Sequence, residues 1–473
     1  MALFSNEDGT YSMVYPEGTT PIWLRPADRP KADPTLSPPK SVLLDTMGYV
    51  DGECNDTTAA YVGEDGKRVQ VTFWMHHPPL VSYFTVHSPG VKPDAFPEMA
   101  NVLATDGDLA LLRLPSGPVN PLSDPPPDRY FIYRIGGGGE KPPWLRQLPN
   151  PHKLIFMDDT VGFLNYGTHD HDRFFTAAFY QEHPLRPGGS VKFYISLFDS
   201  GTWAWTRKEV LVDSPEAYRY RFTNKVITIG GERGSIAWVD LSNGILVHDL
   251  LLRNNNIIRY IPLPPSELPD LRTNSVRDMA AVNGCLKYVS MSYPPMTKSS
   301  TSYYFGDWKA KAWKMVTHRS ENWQWQDDYH LRASEITIDD PSHLELLPDP
   351  PNNADKKRVL TRLHAGSPAV SLHDDGIVYI LTKVEYSDRK AWVLAVNTST
   401  KTLQAVAEFD AERCMGLSFT YTQSGISKHM GVELKEDRCL DDEASWTTVS
   451  YKKKRKKEKE VVTYGGTIVG AYK

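Results

Sequence analysis

His169-Asp170-His171-Asp172 is the stretch of this sequence best suited to grip a metal. In an extended strand, residues two apart share a face, so His169 and His171 would point one way and the two carboxylates the other. Two imidazoles are half of a zinc or iron site, and the remaining ligands would have to come from elsewhere in the chain. The flanking Asn165-Tyr166-Gly167-Thr168 reads as an exposed turn, which favours a solvated loop over a ligand pair. His76-His77-Pro78-Pro79 reads as a strand exit whose geometry the prolines set. Gly136-Gly137-Gly138-Gly139 runs into Glu140-Lys141-Pro142-Pro143, so it lacks the Lys-Ser/Thr and following helix that a phosphate cradle needs. Asp158-Asp159, Asp327-Asp328, Asp339-Asp340 and Asp374-Asp375 are neighbours in sequence. Strand neighbours face opposite ways, so these are turn formers rather than general acid/base pairs. No Gly-x-Ser-x-Gly elbow occurs, and Cys54, Cys285, Cys414 and Cys439 form no closely spaced pair. The sequence offers no catalytic residue and no cofactor site, and it leans away from an enzyme.

Elements that could position any site follow from composition and period. Hydrophobic residues are 40% and charged residues 23%, enough apolar surface for a core, and the 473 residues suffice for two or three domains or one large repetitive β fold. Twelve Trp, 24 Tyr and 16 Phe favour sheets, where flat rings pack across strands. Val69–Met75 and Val81–Val86 show the β-branched, aromatic and alternating character of strands. Turn residues precede apolar runs at Asp106, Asp159, Gly234, Asn283 and Asp375. Taking Ala110, Phe163, Ala237, Lys287 and Val378 as markers, the gaps are 53, 74, 50 and 91 residues. Two are near propeller-blade length, and the last is read as two units of about 45. Trp392–Val396 and Leu403–Phe409 form a hairpin around Asn397–Lys401, and Trp203/Trp205 echo Trp323/Trp325, each pair on one face. Pro269–Val282 is the one place for a short helix. The fold expected is mostly β, a β-propeller-like array of short antiparallel sheets with about six or seven blades and few helices. Residues 1–40 form a Pro-rich irregular leader, 41–425 the array with a Pro-rich connector at 115–128, and 426–473 a polar tail with a basic cluster at 452–459.

The segment Trp238-Val239-Asp240-Leu241-Ser242-Asn243-Gly244-Ile245-Leu246-Val247-His248-Asp249 resembles a plant family, expanded in grasses, called domain of unknown function 1618. The resemblance continues through Tyr260–Pro264, Arg277-Asp278, Gly284–Val289 and the Trp308/Trp313 region, with Leu148–Pro151 and Val161–Leu164 upstream. It extends over residues 40–425. It implies no activity and no catalytic residues, only a similarity to the propeller-like modules that follow F-boxes in plant proteins. The chain shows no helical F-box at its start, so a ubiquitin-ligase adaptor role gains nothing. Read from the residues themselves, the block is structural. Gly244 suits a hairpin turn that needs positive φ, with Trp238 before it, and Asp240 and Asp249 accept backbone N–H groups at turns.

Lys452, Lys453, Lys454, Arg455, Lys456 and Lys457 make a dense basic run that matches a nuclear-import patch, read by the acidic groove of a receptor. Lys452–Glu460 carries +5 of charge; without its seven basic and two acidic residues the body holds 46 basic against 56 acidic, or −10. Nucleic acid is therefore a poor partner for the folded body. The first residues lack a basic and apolar leader, no apolar run nears the roughly 20 residues that span a bilayer, and sparse cysteine points to the reducing nucleus or cytoplasm. The expected function is a non-catalytic scaffold that binds protein partners. The alternative is an enzyme with a small-molecule or glycan site in the propeller channel.

Overall fold

The computed structural model describes residues 2–5, 11–14, 31, 36–64, 66–89, 99–114, 129–136, 142–151, 157–167, 173–182, 191–252, 255–265, 275–294, 306–317, 323–349, 356–414, 417 and 420–431. Among them the chain is mostly β, with one α-helix, Pro341–Leu346, whose N-terminus Asp340 caps by accepting the Ser342 N–H. No described helix is long and apolar enough to cross a membrane.

Six successive sheets can be followed. The first comprises Val42–Leu44, Ala59–Val62, Arg68–Trp74 and Val81–His87, with Thr422–Ser424 on its edge. The next five are four-stranded antiparallel meanders that begin at Asn101, Val161, Lys225, Arg277 and His364 and end at Gln147, Val212, Pro262, Arg332 and Asp410. Leu211 and Val212 pair in parallel with Ile257 and Ile258. This joins the third and fourth sheets into one eight-stranded sheet, nearly closed because its end strands 161–165 and 225–230 lie side by side.

Alternation explains how the sheets hold together. On the strand Leu109–Leu114, Ala110, Leu112 and Leu114 enter the core shared with the first sheet, while Leu109 and Leu111 enter the core shared with the third. On Ser235–Asp240, Ile236 and Trp238 face the third sheet, and Ala237 and Val239 face the fifth. A period of two thus feeds adjacent residues into different inter-sheet cores, and strands buried on both faces read as near-continuous apolar runs. The largest cluster joins the fifth and sixth sheets and includes Leu43 and Val81 of the first. The first strand of each meander lies beside the first strand of the next, from 101–106 to 364–370, and the last of these lies beside 422–424.

One expected turn is found in place, and several other sequence expectations are revised. The Asn283-Gly284 turn has φ of 49° and 74°, the two-residue form that matches strand twist, and Val282 pairs with Cys285 across it. Phe163 lies on the first strand of its sheet, whereas the other four markers lie on second strands, which is why the 74-residue gap fits badly. The 91-residue gap spans one sheet step, lengthened by the helix and turns between 333 and 363. Arg277–Val282 is a strand, because its alternate side chains feed two cores; residues 269–274 of the expected helix lie outside the described residues. Within the leader, Ala2–Ser5 pairs with Tyr11–Val14, and the connector 115–128 lies outside the described residues.

Gly244 does not have positive φ. What requires glycine there is Tyr260, whose ring atoms would stand 2.5–2.6 Å from an added Cβ. The Tyr260 hydroxyl donates to the Asn243 carbonyl at 3.0 Å, so the ring cannot easily step aside. Gly244→Ala is expected to lower stability by about 1–3 kcal/mol. Replacing Tyr260 by Leu in the same chain should return part of the loss. Urea denaturation measures both, and a Gly244→Ala chain as stable as wild type would refute the close-approach argument.

Candidate functional site

The family-like block sits inside the fourth sheet. Trp238 is fully buried against Phe179, and its Nε1 donates to the Thr160 carbonyl at 2.7 Å, tying the fourth sheet to the third. Asp240 organises the turn after its strand. Its Oδ1 accepts the Ser242 and Asn243 N–H groups at 2.9 and 3.2 Å, and its Oδ2 accepts the Arg221 N–H at 2.9 Å. Asp249 Oδ1 accepts the Ser235 hydroxyl, and Arg233 lies 3.8 Å from its other oxygen. His169, His171 and the run Lys452–Lys457 lie outside the described residues.

Side chains from distant strands converge where the first strands come together. Lys225 Nζ donates to Asp278 Oδ1 at 2.8 Å and to Gln423 Oε1 at 2.7 Å, and Gln423 Nε2 donates to Asp278 Oδ2. Every polar atom of this triangle has a partner of the right kind, so a charge pair only 21% and 12% exposed is tolerated. Nearby, Thr105 and Ser424 share a hydroxyl hydrogen bond of 2.7 Å. Asp106 accepts the Asn165 N–H at 2.8 Å, and Asp108 holds Asn165 Nδ2 and Arg134. Burial pushes the Asp106 carboxyl up to about 6, against the pull of the Asn165 and Gly107 N–H groups and of Lys428.

A second convergence lies on the surface of the fifth sheet. Ser292, Lys309 and Arg332 stand in register across three strands, and beside them Ser290, Lys311 and His330 do the same. These residues line a cleft of about 410 Å³, together with Pro265, Trp313 and Lys401 among others. Lys311 Nζ lies 4.8 Å from the centre of the Trp313 ring. The sequence reading passed over this rank. Its trace was the alternation Lys309-Ala310-Lys311-Ala312-Trp313, which puts both lysines on one face.

His248 is 1% exposed, and its tautomer follows from its partners. The Ile257 carbonyl, 2.9 Å from Nδ1, can only accept, so Nδ1 carries the proton and Nε2 receives Lys208 Nζ at 2.9 Å. Burial and the lysine lower the imidazole to about 4, and burial also lowers Lys208. Above the ordinary value of 6.5 the ring is neutral in both folded and unfolded chains. As pH falls from there, the unfolded chain gains the proton first, so stability is lost down to about pH 4. Asp106 works the other way: its raised value favours the protonated folded chain, and stability falls as pH rises from 3.8 to about 6. Chemical denaturation across pH 4–7 should show His248→Gln removing about 2–3 kcal/mol of the acid-side loss. Asp106→Asn should stabilise the chain near pH 7 by about 2 kcal/mol. Matching pH profiles in wild type and both variants would contradict the two assignments.

No curated protein matches the chain. A solved structure of Bombyx mori GH32 beta-fructofuranosidase in complex with sucrose is 11% identical, covers 66% of this chain and has a TM-score of 0.25. This chain spans 60% of the length of that enzyme. Cobalt-substituted Synechocystis ACO is 10% identical, with 83% of this chain and 92% of that one covered and a TM-score of 0.26. Similarity this slight carries no argument. The family model described as protein of unknown function (DUF1618) matches residues 238–379, starting at the tryptophan that opens the block in the fourth sheet and ending in the sixth. Residues 238–379 are therefore similar to the family named domain of unknown function 1618.

Proposed function

We propose that this chain is a β-propeller of six blades that serves as a non-catalytic docking scaffold for protein partners in the nucleus or cytoplasm of a plant cell. The observation that carries the reading is the cyclic order of the cores, each shared by successive sheets, with Leu43 and Val81 of the first sheet packed into the cluster of the fifth and sixth. In a ring of that kind both faces of every blade are occupied, and recognition falls to rims and outer edges. The triangle of Lys225, Asp278 and Gln423 supports the same view, because these groups neutralise one another. The rival reading, an enzyme acting on a small molecule or glycan at the axis, draws on Asp106, whose raised carboxyl is a feature of acid/base residues. Fold alone assigns neither role.

Cross-linking of the full chain in plant extract, followed by mass spectrometry, should return a reproducible set of partners that Asp106→Asn leaves intact. Turnover of a metabolite that the same substitution abolishes would overturn the scaffold in favour of the enzyme.

Nuclear residence is the part of the proposal carried by Lys452–Lys457. In a fluorescent fusion, Lys453→Ala, Lys454→Ala and Arg455→Ala together should move the signal from nucleus to cytoplasm. An unchanged distribution would defeat it.

A further inference from the structure

We infer that the cleft on the fifth sheet is a binding site for a short acidic peptide segment of a partner protein, an assignment that rests on the docking reading above. Lys309 and Arg332 are directly opposed on neighbouring antiparallel strands. Like charges in that position repel across about 5 Å and destabilise a sheet. Lys311 sits one rank away on the same face, opposite His330. Lys309, Lys311, Arg332 and Lys401 line the cleft against one lining carboxylate, Glu335, which Lys401 already holds at 2.7 Å. Asp327 and Asp307 approach Lys311 and Arg332 at 3.3 and 3.8 Å and offset part of the repulsion, yet those two cations stay 38% and 44% exposed. A carboxylate set between Lys309 and Arg332 turns the repulsion into two attractions, and a guanidinium can hold both of its oxygens at once.

The surroundings select a peptide among anions. The body carries −10 outside Lys452–Glu460, so a long polyanion is repelled wherever it leaves the cleft, while a few carboxylates feel chiefly the local cations. Trp313 and Pro265 add apolar lining, and the hydroxyl of Ser292 can meet main-chain groups. Gln326–Arg332 is the last strand of its sheet, so its outer edge can bond an extended chain laid beside it. Cations and edge together match an extended segment with Asp or Glu at alternate positions.

The test selects phage-displayed random dodecapeptides on the full chain and on Lys309→Glu/Arg332→Glu. A fluorescein-labelled copy of the enriched sequence then goes into anisotropy titrations. Asp and Glu should be enriched on wild type and not on the variant. The labelled peptide should bind the variant at least tenfold more weakly, and wild-type binding should weaken as salt is raised. Lys309→Gln/Arg332→Gln, which adds no new charge, should weaken binding in the same direction, and thermal unfolding of both variants establishes that they are folded. Selection without acidic enrichment, or equal binding by folded variants, overturns the assignment. So does displacement of the peptide by a labelled thymidine oligonucleotide or by phosphatidylserine vesicles that bind more tightly. Cross-linked partners that persist equally on wild type and variant would leave the scaffold standing while this site falls; absence of partners on wild type would remove the scaffold itself.

Discussion

Three residues near the end of the described chain, Thr422–Ser424, hydrogen-bond in antiparallel register to Val42–Leu44, about 380 positions earlier. Closing a loop of that length costs on the order of 5 kcal/mol in chain entropy, and each doubling of length adds only about 0.6. The cost is therefore comparable to burying two or three Leu-sized side chains, and Val42, Leu43 and Leu44 are each at most 1% exposed. Ile426, just beyond the closing strand, enters the same core as Val42 and Leu44. The pairing also supplies Gln423 to Lys225 and Asp278, and Ser424 to Thr105, so the fourth, fifth and second sheets are each anchored to one short strand. Without it the first sheet would expose an apolar edge, and the cluster that spans the fifth, sixth and first sheets would lose its seal.

The other constraint is that the middle strands of the sheets are used on both faces. A residue in the middle of Ser235–Asp240 or Leu109–Leu114 has no solvent to face, so polar groups are pushed to strand ends, turns, the meeting place of the first strands, and the outermost strands. Asp240, Asp340 and Asn243 work at turns and caps. Asp328 and Asp375, from two of the adjacent acidic pairs, meet at Lys287 and tie the fifth sheet to the sixth. Lys309, Lys311 and Arg332 occupy the exception, a stretch of sheet face past the core residues Tyr288 and Trp313.

What was legible in the sequence is local. The Asn283-Gly284 hairpin and the Trp392–Val396/Leu403–Phe409 hairpin announce themselves by turn chemistry and alternation. The paired tryptophans 203/205 and 323/325 each pack on a single cluster, as their spacing implies. What was hidden depends on register between segments far apart. Thr422-Gln423-Ser424 carries no apolar signal, because its stability comes from the edge it completes. Lys225, Asp278 and Gln423 are separated by up to 198 positions, and nothing in their neighbours marks them as partners. Gly244 was assigned to the right hairpin for the wrong reason, since a ring brought in by the next strand is invisible to turn rules. The opposition of Lys309 and Arg332 exists only once the pairing of their strands is known.

These two kinds of polar group divide the molecule's chemistry. Where the first strands of the sheets meet, charges are paired, shielded and linked across sheets, so a change there acts first on the packing of the sheets, and on any surface only through it. In the cleft on the fifth sheet, Lys309, Lys311 and Arg332 outnumber the lining carboxylates and stay partly in water, where each charge costs little and screening by salt is strong. Such groups contribute almost nothing to holding six sheets together and are free to be read by something outside. A substitution that disturbs recognition with the unfolding transition intact therefore belongs to the exposed cleft, and one that disturbs both belongs to the meeting place of the first strands. That physical difference, more than any motif, separates the surface this chain presents from the framework that presents it.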